Sequence, residues 1–213
     1  MVEPKPLKFV RKDDYLHIME QQKLPIEIYT EANPNPNSLK FVLSGRVLMP
    51  EGSVDFPTAE SAHNCALAVD LFKFDFVRRV FITANFITVT KTSEGELEWF
   101  EVIPMIKSLI KGYIEENKPL FKETIKIENI GGNPDEPEVI TKIKVMLDEY
   151  IRPAVEQDGG AITFKSFDEG KVTVELQGSC SGCPSSTLTL KAGIENLLKR
   201  MVPEVTEVVA ENA

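Results

Sequence analysis

Cysteine is scarce in this chain of 213 residues, which holds only three, with two histidines and one tryptophan. A cystine-stapled secreted scaffold needs a denser and even-numbered set, so that class is excluded. No stretch approaches the roughly 20 consecutive apolar residues that a bilayer-spanning helix requires. Basic residues are also in the minority, 24 against 33 acidic ones, for a formal charge of −9. Binding a phosphate backbone depends on clustered Lys and Arg, so the balance argues against nucleic acid as a partner. The opening MVEPKPLKFVRKDDYLHIME lacks an apolar h-region, and Glu3, Asp13 and Asp14 break the acid-poor character of a transit peptide. The expectation is a soluble protein of a reducing compartment, the cytosol, with no membrane partner.

The chain does have the material for cores. Its 42% apolar and 27% charged residues sit near globular averages, and its length suits two domains. Residues 119–136 hold two prolines and the Gly131-Gly132 pair, with no sustained period of 2 or 3.6. No phosphate-loop pattern surrounds those glycines, so the span reads as a linker. The expected organisation is an extension over 1–25, a first domain over 26–118, the linker over 119–136, and a second domain over 137–213.

The first domain reads as mixed α+β. Strands are predicted at Ile26–Thr30 and Leu39–Leu43, either side of the turn-forming NPNPN at 33–37. A helix is predicted from Pro57-Thr58 to Phe72, with Thr58 as its cap. Val77–Thr83 and Phe86–Thr92 form a hairpin around Ala84-Asn85, and Trp99–Glu116 closes the domain as a helix. A short helix is expected near Asp13–Gln22.

The second domain is cleaner. Pro137 suits the first position of a helix whose face carries Ile140, Ile143, Leu147, Tyr150, Ile151 and Ala154. Asp158-Gly159-Gly160 ends it. Ile162 and Phe164, then Val172, Val174 and Leu176, alternate as a hairpin around Asp168-Glu169-Gly170. A helix bearing Leu190, Ile194, Leu197, Leu198 and Met201 follows, Pro203 stops it, and Val205–Val209 is a last strand. The order is α-β-β-α-β, and the fold class is two small α+β domains joined by a linker.

One motif carries chemistry. Between the second strand and second helix of that domain stands Gly178-Ser179-Cys180-Ser181-Gly182-Cys183-Pro184-Ser185-Ser186. Thiols three positions apart can reach a common centre, and soft thiolates select zinc, Cu(I) or iron–sulfur clusters. A helix starting at about Ser185 points its positive end at the same place, which favours thiolates. A lone CxxC also fits an idle reduced pair or a thiol–disulfide redox couple. The metal reading has its own arithmetic. A closed zinc site or a [4Fe–4S] cluster wants about four ligands. The domain supplies Cys180 and Cys183 and no histidine, since His17, His63 and Cys65 lie across the linker. Two copies meeting at a two-fold axis would complete the set.

Glu138–Val209, with DGGAITF and VELQGSCSGCPSSTLTL, resembles the C-terminal domain of NifU, the module of the Nfu iron–sulfur carriers. Ile26–Glu116, with PNPNSLKF, DFPTAESA and NFITVTK, is similar to the Nfu N-terminal domain. The resemblance implies a non-enzymatic carrier whose Cys180 and Cys183 bind a [4Fe–4S] cluster between two subunits of a homodimer. It implies a donor scaffold and apo iron–sulfur proteins as partners, with the N-terminal domain as a docking module. Mitochondrial members carry a presequence, and none is read here, which favours a bacterial cytosol. A zinc-bridged structural dimer, a thiol–disulfide redox protein and a cluster-sensing regulator are the alternatives. Gly178 and Gly182 are expected to permit the tight loop, Gly159-Gly160 to be a helix-ending turn, and Cys65 to be a buried small hydrophobe.

Overall fold

The computed structural model describes residues 26–49, 52–92, 97–122, 136–182 and 184–212, with 184–188 as backbone only. The chain divides into two compact units, one holding the described residues 26–122 and the other 136–212. The helix expected at Asp13–Gln22 lies outside the described residues, as do His17 and Gly131-Gly132.

The first unit is a five-stranded antiparallel sheet: β1 Glu27–Ala32, β2 Ser38–Ser44, β3 Ser53–Phe56, β4 Val77–Thr83 and β5 Phe86–Lys91. Spatial order is β1-β2-β5-β4-β3. Two short or medium helices, α1 Ala66–Leu71 and α2 Trp99–Glu115, complete it. The NPNPN turn works through its asparagines: Asn35 N–H donates to Asn33 Oδ1 and Asn37 N–H to Asn35 Oδ1, both at 3.0 Å. These side chains stand in for the backbone acceptors that Pro34 and Pro36 leave without ladder donors nearby. Trp99 Nε1–H donates to the Pro36 carbonyl at 3.0 Å, fixing the start of α2 to that turn. The core gathers Phe41, Leu43, Val80, Ile82 and Ile87 from the sheet with Leu67, Leu71, Ile106 and Ile110 from the helices.

Three details differ from expectation. The helix expected from Pro57 to Phe72 is broken: a 3₁₀ turn spans Glu60–Ala62, Cys65 is extended (φ −113°, ψ 105°), and only then does α1 begin. The cause is non-local. Cys65 bridges Phe121, Ala66 N–H donates to the Leu120 carbonyl at 3.1 Å, and Lys122 N–H donates to the Asn64 carbonyl at 2.9 Å. The Asn64 carbonyl and the Ala66 N–H give their hydrogen bonds to this returning segment and so do not continue a helix from the 3₁₀ turn. For the same reason Pro119–Lys122, read from composition as the start of a linker, pack on the first unit, with Leu120 fully buried. Strand β3 was not anticipated from its four residues, which pair with β4 at the sheet edge.

In the second unit the order of elements follows the α-β-β-α-β expectation. A helical run opens it as α3 Glu138–Met146, a wider π turn over Leu147–Ile151, and α4 Arg152–Gln157. Pro153 explains the π turn: it has no N–H to donate back, and its ring would crowd the carbonyl four residues earlier. Pro137 is the N-cap of α3, with ψ 138°, rather than its first helical residue. Strands β6 Gly160–Asp168 and β7 Lys171–Gly178 pair antiparallel, and β8 Glu207–Asn212 adds parallel to β7. Helix α5, Pro184–Met201, makes the crossover between β7 and β8. The hairpin turn puts Glu169 at φ 45° and Gly170 at φ 85°, the two positive values a tight two-residue turn demands. Val172, Val174 and Leu176 face a core shared with Ile143, Leu147, Ile194, Leu198 and Val208. Among the described residues no helix is long and apolar enough to cross a membrane.

Candidate functional site

The CxxC loop leaves the end of β7, where Gly178 pairs with Gly160 at the start of β6. Gly178 has φ +63° and Gly182 has φ +74°, backbone values that L side chains resist, so a glycine brackets the loop on each side. Between them the chain turns on itself, Ser181 N–H donating to the Gly178 carbonyl at 3.2 Å. Helix α5 begins at Pro184, directly after the second thiol of the motif.

The loop is fastened to its surroundings at both ends. Ser179 N–H donates to the Gly159 carbonyl at 3.3 Å, and the Ser179 hydroxyl donates to the Asp158 carbonyl. Gly182 N–H donates to Asn212 Oδ1 at 3.1 Å, tying the loop to the end of β8. Cys180 is 3% exposed and belongs to the hydrophobic core of the unit, with the Ser179 hydroxyl 3.9 Å from its Sγ. Cys183 lies outside the described residues, so of the two expected ligands the structure describes Cys180 alone.

Sequence reasoning missed one residue of this site. Gly159 has φ +79° and ends the helical run as expected. Gly160 does something else: a Cβ there would lie 2.6 Å from the Gln177 carbonyl oxygen, 2.9 Å from Cys180 Sγ and 3.3 Å from Cys180 Cβ. The Cys180 side chain therefore rests on the bare Cα of Gly160. Nothing local in the sequence signals this, because the contact joins positions 20 residues apart and requires an absence of side chain.

Cys65 and His63 belong to the first unit. Cys65 is fully buried among the residues around α1, and burial pushes its thiol up to about 11, against backbone N–H groups of Ala68 and Leu67 that pull it down. That matches the expectation of a small buried hydrophobe. His63 is exposed, with its Nδ1 3.2 Å from the Glu60 carbonyl oxygen. Among the described residues no group of three or more His, Cys, Asp or Glu side chains is placed to hold a metal ion.

Fold and loop together define a class: two-unit α+β proteins that offer a thiol pair between the central strand of a small sheet and the helix that crosses over it. Residues 28–117 match the family model described as the scaffold protein Nfu/NifU N terminal, and residues 143–209 match the NifU-like domain. The human mitochondrial NFU1 iron-sulfur cluster scaffold homolog is 43% identical over 178 residues, 84% of this chain and 69% of that protein. Its counterpart in Drosophila grimshawi is 40% identical over 85% of this chain and 60% of its own length. The mitochondrial NifU-like protein 4 of Arabidopsis thaliana is 39% identical over 89% of this chain and 68% of its own. The chain belongs to the Nfu/NifU family of scaffold proteins. It spans about six- to seven-tenths of the length of these relatives. The expected bacterial cytosol is overturned, since the relatives carry mitochondrial names and an unreadable presequence is no evidence against that compartment.

Proposed function

We propose that this chain is a carrier of iron–sulfur clusters: two copies hold one [4Fe–4S] unit between Cys180 and Cys183 of each, and release it to apo-proteins. The observation that carries the reading is ligand supply. The motif unit contributes two thiols and no histidine. A cluster wants about four thiolates, so a second copy is the natural source of the other two. Family membership supports the choice of an iron–sulfur cargo over zinc, since the human relative is named an iron-sulfur cluster scaffold homolog.

A site split between two chains suits delivery. Opening the dimer halves the ligand set in one step, and thiolates of an acceptor can replace the remainder in turn. The protein's part is to present two thiolates on a short loop braced by β6, β8 and α5. The first unit has no such loop, and its role in this reading is to dock the donor or the acceptor.

The test is a native mass spectrum of the full chain after anaerobic reconstitution with iron and sulfide. The expected species is two chains plus the mass of one Fe₄S₄ unit. A metal-free monomer, or a dimer holding only zinc, overturns the reading.

A further inference from the structure

The geometry around Gly160 points to a resting place for the Cys180 thiol. We propose that the loop holds Cys180 turned inward on Gly160, and that Cys180 must lift off this seat before its sulfur meets iron or a second chain. The proposal rests on the reading of Cys180 as a cluster ligand and adds to it a positioning residue, Gly160, and an opening step.

Three observations carry it. Cys180 is almost fully buried and counted with the core side chains, whereas a ligand shared by two chains must face outward from each. The pocket it occupies exists only because Gly160 lacks a Cβ, which would approach the sulfur to 2.9 Å. Real Cβ atoms essentially never come closer than 3.0 Å to a neighbour, so any side chain at 160 must displace the sulfur or the strand. Finally, the loop has the parts of a hinged flap. Ser179 fastens one side to Asp158 and Gly159, and the hydrogen bond from Gly182 to Asn212 fastens the other. Gly182 is exposed, and among the described residues nothing lies within 4 Å of where its Cβ would be.

The seat makes ligation by Cys180 dependent on one conformational step. While seated, the sulfur is shielded from water. Once lifted, it is free to ligate. Alkylation and cluster loading must therefore pass through the same opening and change together.

The experiment uses the full-length, metal-free protein under reducing, anaerobic conditions, alkylated with iodoacetamide and read cysteine by cysteine as peptide masses. Cys180 is expected to react at least about tenfold more slowly in the native chain than in urea, as buried thiols do. Ser179→Ala removes one fastening hydrogen bond and should speed its alkylation about fivefold. The rate of cluster loading should rise by a similar factor, while Cys65 stays protected. Gly160→Ala should expose Cys180 further, and where that variant does not fold, Ser179→Ala still decides. Native alkylation of Cys180 at the unfolded rate overturns the seat. So does a Ser179→Ala chain whose Cys180 and Cys65 accelerate equally, because that is global unfolding rather than a local flap. The two readings fail separately. A protected Cys180 in a protein that binds no iron keeps the seat and sinks the carrier, and a fast-reacting Cys180 in the metal-free form of a chain that still loads a cluster as a dimer does the reverse.

Discussion

Cys65 and Cys180 are both buried, and both stand at or near the start of a helix, yet their surroundings differ in kind. Cys65 is the N-cap of α1 and is also paired with Phe121, so the sheet-like bridge and the helix lock its backbone from two sides. Helix N–H groups at Leu67 and Ala68 pull its acidity toward the thiolate, but burial wins and the thiol rises to about 11. A helix start does not by itself make a reactive cysteine. Cys180 instead sits in a loop with a positive-φ glycine on either side, a serine fastening and a second thiol three residues on. What separates the two is how the backbone around each sulfur is held, not the fraction of sulfur exposed.

The largest test of that comparison removes each sulfur in turn. Cys180→Ala or Cys183→Ala should abolish cluster loading, with the reconstituted protein losing its iron and the broad visible absorbance of the cluster. Cys65→Ala should load like the parent and cost only about 1 kcal/mol of stability, the scale of a small buried truncation. Full loading of either motif variant would remove Cys180 and Cys183 from the ligand set.

The next largest effect lies in alkali. The Cys65 thiol has a folded value raised from 9.0 to about 11, so the unfolded chain loses its proton first as pH rises. The stability tied to that proton is complete below pH 9 and falls as pH climbs toward about 11. A shift of this size corresponds to about 2–3 kcal/mol. Urea melts from pH 8 to 11 should show the decline in the parent and a flatter curve in Cys65→Ala. Parallel curves would mean that Cys65 opens to water before the unit unfolds.

Much of this molecule could be read from its sequence, and the failures share a cause. Period and turn chemistry located the hairpins, both long helices and the loop, because Val172-Val174-Leu176 and the NPNPN run report on their own neighbourhood. The break before α1 escaped because Leu120 and Lys122, more than 50 positions away, take the Ala66 N–H and the Asn64 carbonyl. Strand β3 escaped because a four-residue edge between Pro50 and Pro57 carries too little pattern. The π turn could have been suspected from Pro153, which sits inside a helical period. Gly160 looked like half of a helix-ending pair, and only the register Gly160↔Gly178 reveals that it underlies the loop. The thiol pair was legible from the sequence as a candidate site, but the contact of Cys180 with Gly160 was not, since a contact made by a missing side chain leaves no trace in composition.

The smallest expected effect concerns how firmly the loop's far anchor is held. Asn212, which accepts the Gly182 N–H, ends β8, and β8 is fixed to α5 through Glu195. That carboxylate accepts from Val208 N–H at 3.1 Å and pairs with Lys199 at 2.5 Å. The Lys199 hydrogen bond first, and then the Val208 N–H, hold the carboxyl below its ordinary value of 4.5. Since the folded value is the lower one, the linked stability is present above about pH 4.5 and is lost as pH falls through the folded value. Glu195→Gln keeps an acceptor for Val208 but removes the charge, so it should flatten the acid side of the thermal melting curve between pH 3 and 6. At neutral pH its melting point should fall only slightly, because the pair is solvent-facing. A modest rise in Cys180 alkylation should accompany it if β8 steadies the loop through Asn212. An unchanged acid profile would place the anchoring of β8 in the packing of Val208 against the core, with the carboxylate contributing nothing to the difference between the two cysteines.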